Sequence, residues 1–115
     1  MKNIIYHNPN WSKSRKSVEI LKRKDIKFEV IHYLKYPPNA TQLKSICDKL
    51  GLEIKDIVRK GEKDFKENNF SAIIDDKELL IKKMIAYPKI IERPIIIIGN
   101  KAVIGRPPEN ILNIL

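Results

Sequence analysis

Apolar positions alternate between strand-like runs and helix-like spacing along the chain, and each change of period marks a new element. Ile4, Ile5 and Tyr6 form a short apolar run that ends at His7-Asn8-Pro9, which predicts a buried strand running into a loop. A helix follows, with Ser12 or Ser14 as its cap and Val18, Leu21 and Ile20 on its inward stripe, until the Lys22-Arg23-Lys24-Asp25 run closes it. Phe28, Val30 and His32 then alternate with Glu29 and Ile31 ahead of Pro37-Pro38, the pattern of a second strand. Two strands joined through a helix are expected to be parallel.

The middle of the chain reads as helical and more polar. Thr41 is placed to cap a helix in which Leu43, Ile46, Cys47 and Leu50 share one face, and Gly51 stops it. Shorter helical pieces are expected around Ile54 to Val58 and Asp64 to Asn68, and a longer one from Asp76 to about Tyr87, ended by Pro88. The period then changes back. Pro94 opens Ile95-Ile96-Ile97-Ile98, a continuous run typical of a central strand, and Gly99-Asn100 turns it into Lys101-Ala102-Val103-Ile104, closing a β-hairpin. Arg106-Pro107-Pro108 leads to a last short helix carrying Ile111, Leu112 and Leu115. The order β-α-β, helical insertion, β-β-α predicts an α/β, thioredoxin-like fold. Its mixed four-stranded sheet is flanked by helices in a single domain over residues 1–115, with the insertion at about 41–90.

Composition narrows the classes. The 115 residues carry 23 Lys+Arg against 14 Asp+Glu, a formal charge of +9, which invites a nucleic-acid reading. However, the cations are 18 lysines and five arginines, beside 21 isoleucines and nine asparagines, the mark of an AT-rich coding sequence. Lysine of that origin forms a solvated coat, so nucleic acid is not the expected partner. Where lysine is the habitual cation, an arginine suggests a site that wants a planar fork, and these are Arg15, Arg23, Arg59, Arg93 and Arg106. A single cysteine, Cys47, excludes an internal disulfide and any Cys-x-x-Cys motif, and no metal site is expected. The apolar runs are too short for a membrane span, which needs about 20 residues, or for a signal-peptide core. A soluble, untargeted, cytoplasmic protein is expected.

Three segments should meet at one end of such a sheet. The first is the loop His7 to Arg15, between a parallel strand and the helix it feeds, where unpaired N–H groups and the helix dipole favour an anion. The second is Glu92-Arg93-Pro94, and the third is Gly105-Arg106-Pro107-Pro108-Glu109. With these segments the sequence resembles the arsenate reductase (ArsC) family, in particular its short, glutaredoxin-dependent members. The likeness runs through Tyr6-His7-Asn8-Pro9, Ser12-Lys13-Ser14-Arg15, Tyr33-Leu34, Val58-Arg59-Lys60, Arg93-Pro94 and Gly105 to Glu109, in order and over essentially the whole chain.

The resemblance implies an oxyanion site that takes arsenate or a similar anion. In that family a cysteine at the start of the first helix attacks arsenate, three arginines hold the anion, and glutathione with glutaredoxin resolves the adduct, with no bound cofactor. The matching arginines here are Arg59, Arg93 and Arg106. His7 matches the histidine before the loop, Ser14 matches the hydroxyl residue facing the thiol, and Arg93-Pro94 matches a cis peptide bond. At the cysteine position this chain has Trp11. An indole cannot form the As–S bond or leave in a disulfide, and Ser12 and Ser14 cannot carry the two electrons of the reduction. Cys47, on an apolar stripe, reads as a buried and inert thiol.

The expected protein is therefore a monomeric, oxyanion-binding and catalytically impaired family member. The alternative is a non-enzymatic interaction module or regulator on the same fold, of the RNA-polymerase-binding type, with Trp11 as its anchor. Individual residues also have plainer readings. The three arginines could be structural ion-pair partners, and His7 a satisfied histidine at a strand end. Trp11 could fill the vacated loop or enter the anion pocket, and is expected to cover apolar surface or a partner. Lys13 and Arg15 are expected to be first-turn surface residues.

Overall fold

Four short strands form one mixed sheet in the order β2-β1-β3-β4, with β1 at Ile4–His7, β2 at Glu29–His32, β3 at Ile95–Ile98 and β4 at Lys101–Ile104. The computed structural model describes residues 2–115. β1 pairs with β2 in parallel and with β3 antiparallel, and β3 pairs antiparallel with β4. The first pairing is the β-α-β opening expected from the pattern, with α1 at Ser12–Arg23 as its crossover.

By residue contacts the chain forms two compact units. One holds the chain up to Tyr36 and from Arg93 onward, and so contains the whole sheet; the other, Pro37–Glu92, is helical.

In the sheet-bearing unit, direct pairing lines up Val30, Ile5, Ile96 and Val103 across one face. Ile5 and Ile96 from that row pack with Leu21 of α1 and Ile111 near the C terminus, all four fully buried. Each such burial contributes about 1.5–3 kcal/mol. The continuous isoleucine run of β3 is explained by its inner place in the sheet, which buries Ile95, Ile96 and Ile97 whichever way they point. At its end Gly99 takes φ +63° in the first turn position, a backbone that only glycine adopts without cost in a II′-type hairpin.

β2 is an edge strand, with Val30 39% exposed and His32 exposed as well. The capping expectations change. α1 has Trp11 at its N-cap position with no side-chain cap bond, because the Ser14 hydroxyl turns back into the preceding loop. α2, Ala40–Leu50, is capped by Asn39 in place of Thr41, through a reciprocal box with Gln42. Gly51 does end it in the left-handed conformation, as expected. The final segment, Pro108–Ile114, is 3-10 and not α-helical, and buries Ile111 while leaving Leu112 and Leu115 about half exposed.

The helical unit continues with a 3-10 turn at Ile54–Ile57, α3 at Lys63–Glu67, a second 3-10 turn at Phe70–Ile73, α4 at Lys77–Ala86 and a third turn at Pro88–Ile90. Its core includes Leu43, Ile46, Ile57, Leu80, Ile81, Met84 and Ile90, with Phe65, Phe70 and Tyr87 in edge-on aromatic contacts. Within the unit, an antiparallel bridge joins Val58 to Ile91. The flanking bonds run from Arg59 N–H to Ile90 O and from Glu92 N–H to Ile57 O.

Gly105 is where the sheet-bearing unit is tightest. A Cβ there would stand 2.8 Å from Ser17 Oγ and 2.9 Å from both Ile96 Cδ1 and Pro94 Cγ. Gly105→Ala should therefore cost about 1–3 kcal/mol of stability in urea unfolding; an unchanged midpoint would show that the neighbours yield freely.

Candidate functional site

The pairing register decides which segments share an end of the sheet. Tyr6 stands opposite Ile95, and Ile95 opposite Ile104. The loop leaving β1, the Arg93-Pro94 approach to β3 and the Gly105-Arg106 exit from β4 therefore lie together, as the sequence predicted. Gly105 N–H donates to Pro94 O at 2.8 Å, which sets the last two segments side by side. Arg93-Pro94 is cis, as expected, and Arg106-Pro107 is cis as well, which the sequence did not announce.

The loop between β1 and α1 is held by a compact set of bonds. Ser14, fully buried, accepts the Asn8 N–H at 3.1 Å and is bonded to His7 Nδ1. The Ser14 oxygen thus joins the Asn8 backbone and the His7 ring at one point. Asn8 is itself buried, and its side-chain oxygen accepts from Asn10 N–H. Trp11 N–H donates to Asn8 O, and Trp11 O accepts from Arg15 N–H. Arg15 is exposed as expected, yet its Nη1 donates to Pro9 O at 2.8 Å, so it also braces the loop.

Trp11 is 43% exposed, and its ring lies against Arg93, whose Cζ is 3.1 Å from the ring centroid. The indole thus covers a cation, where apolar surface was expected. Arg93 itself is only 4% exposed. No acidic residue stands in the first turn of α1, so nothing there offsets the positive end of its dipole. Arg106 is exposed on the neighbouring segment, its N–H donating to Ile104 O and its carbonyl accepting from Asn110 Nδ2.

Arg59 belongs to the helical unit, where its Nη1 donates to Glu62 Oε2 at 2.9 Å in a largely buried ion pair. Cys47 lies in the same unit, 5% exposed, and burial pushes its thiol up to about 11. That is the inert thiol the sequence suggested, since the reactive form is the thiolate. A cleft of about 410 Å³ opens beside it, lined by Lys44, Asp48, Lys55 and Asp75 among others, and none of the family-matched positions lines it.

Sequence reasoning passed over Asn8, Glu62 and His32 as parts of these surroundings. The parallel register sets His32 opposite His7, with ring centroids 5.8 Å apart. Two histidines closing two predicted parallel strands was the available signal. Burial first, then the charges of His32 and Arg15, hold the His7 imidazole below its ordinary 6.5. Its neutral form is favoured on folding, so its contribution is present above the unfolded value and is lost as pH falls through the folded one. Stability should decline as pH is lowered from about 7, with a shallower decline in His7→Gln. Coincident curves for the two proteins would show that His7 carries no such linkage.

Comparison with known proteins bears on the whole assembly. Residues 6–114 match the ArsC family. The chain is 40% identical over 112 residues to the uncharacterized protein YfgD of Escherichia coli, covering 96% of this chain and 94% of that one. It is 39% identical to an arsenate reductase of Haemophilus influenzae, covering 97% of each. Among solved structures, an arsenate reductase from Vibrio cholerae superposes with a TM-score of 0.91 at 40% identity, over the full length of this chain and 98% of the other. The sheet order and these likenesses agree: the fold is thioredoxin-like, and the chain belongs to the ArsC family of arsenate reductases.

Proposed function

We propose that this protein binds arsenate or a similar tetrahedral oxyanion at the end of the sheet where Arg93 and Arg106 flank the start of α1, and that it no longer reduces what it binds. The observation that carries this reading is Trp11, at the position matching the family's nucleophile and with its ring on Arg93. Arginine suits the first part of the task because its planar fork matches two oxygens of an oxyanion at once. The uncompensated helix start supplies further positive potential. Arg59 matches the family's third arginine and, within the helical unit, donates to Glu62.

The lost part is redox chemistry. Arsenate and two thiols give arsenite, one disulfide and one water, so the two electrons come from sulfur. Trp11 has none to give, the Ser14 hydroxyl is bonded to His7 and accepts from Asn8, and the Cys47 thiol is buried and protonated. His7 and Ser14 retain the surroundings that would act on a thiol at residue 11. On this reading no cofactor is bound, the protein is a cytoplasmic monomer, and glutathione with glutaredoxin serve as reductants only once a thiol is restored.

A second reading, an interaction module of the RNA-polymerase-binding type, draws on the 43% exposure of Trp11, since an accessible tryptophan is a common interface anchor. It predicts a stable partner recovered by affinity capture and lost with Trp11→Ala.

An NADPH-coupled assay with glutathione, glutaredoxin and arsenate separates the possibilities. The unaltered chain should show no turnover above background, and Trp11→Cys should gain it. Brisk turnover by the unaltered protein would reject the loss of function. A folded Trp11→Cys that stays silent would reject the claim that the rest of the reductase site survives.

A further inference from the structure

Resting on the oxyanion reading, we propose that Trp11 is a positioning residue of that site, which holds the Arg93 guanidinium ready for the anion and does not plug its place. The argument begins with the 3.1 Å between Arg93 Cζ and the centre of the Trp11 ring. Only a face-on guanidinium fits that separation. Turned edge-on, its nearest nitrogens would project about 0.7–1.3 Å further and stand within about 2.4 Å of the ring plane, well inside contact distance. Stacked flat, the guanidinium directs its N–H groups sideways, past the indole and not into it.

Those sideways directions are the ones an oxyanion uses, because guanidinium–oxyanion bonds lie in the guanidinium plane. Stacking and anion binding are therefore compatible, and the first should strengthen the second. The ring removes water from one face of a cation that is already 4% exposed, and it limits the rotamers Arg93 can adopt. The backbone that carries the indole is itself held: Trp11 sits at the N-cap of α1, with its backbone N–H on Asn8 O and its carbonyl on Arg15 N–H, so the ring projects from a bonded helix start.

The test is calorimetric titration of the full chain with inorganic phosphate and with arsenate. Trp11→Ala should weaken binding about 5- to 30-fold, the range of a cation–π contact in a partly desolvated setting, while Trp11→Phe, which keeps a π face, should stay within about 3-fold. Trp11→Leu keeps apolar bulk without that face and should behave like the alanine variant. Thermal unfolding of each variant identifies any that fail to fold, and the phenylalanine–leucine comparison then decides. Trp11 is also the only tryptophan, so the emission of the unaltered chain should change with phosphate and saturate at the calorimetric Kd.

If Trp11→Ala or Trp11→Leu binds as tightly as the unaltered chain, or more tightly, the indole is a spectator or a plug and the proposal fails. In that case Arg93→Gln would still abolish binding, and the oxyanion reading would stand. If phosphate does not bind, or binds equally well to Arg93→Gln, the oxyanion reading falls and takes this one with it.

Discussion

The alignment of Tyr6, Ile95 and Ile104 across three neighbouring strands is the constraint on which the site depends. It places Ile5 and Ile96 side by side under Leu21 and Ile111. β3 is isoleucine throughout and buried on both faces, so its register is set by what flanks it, the Gly99 turn and the bond from Gly105 N–H to Pro94 O. Because β1 and β3 run antiparallel, the end of one is the beginning of the other. Segments more than eighty residues apart, the loop after His7 and the Arg93-Pro94 step, are thereby brought to one place.

What stands there is a site whose cationic and apolar parts are physically separable from its chemistry. Charge, helix dipole and hydrogen bonding can hold an oxyanion without any nucleophile, whereas reduction needs sulfur at one particular atom. In this chain the loop between β1 and α1 is bonded in detail through Ser14, Asn8 and Arg15, and Trp11 lays its ring on Arg93. An aromatic face beside a buried arginine changes how that arginine is solvated and oriented, and such a contact is a gain available only where the cation already lies within reach.

Much of this was legible in the residues. The four-isoleucine run and Gly99 announced the hairpin, because an inner strand tolerates apolar side chains on both faces and the turn needs a positive φ. Cys47 on the stripe with Leu43 and Ile46 announced a buried thiol. Other features were not legible, for reasons of competition. Thr41 and Asn39 are both good caps, and only the reach of Gln42 to the Asn39 N–H decides between them. Ser12 and Ser14 looked like caps, but the Ser14 hydroxyl serves the Asn8 N–H and His7, a demand that arises only once the strand and helix are folded together. The alternation in β2 does not say that the strand falls at the sheet edge, where Val30 is exposed.

The sequence alone thus determined the element order, the parallel opening, the hairpin and which residue types sit in the three site-bearing segments, because these depend on local period, turn chemistry and side-chain identity. Tertiary structure decided what each of those residues does. Whether Trp11 lies on apolar surface or on a cation, and whether the His7 imidazole is held below its ordinary range, depend on atoms contributed from distant parts of the chain or packed around it. Periodicity carries the direction in which a side chain leaves its element. It carries nothing about what that side chain meets there, since contact energies between residues remote in sequence exist only after the chain has closed on itself.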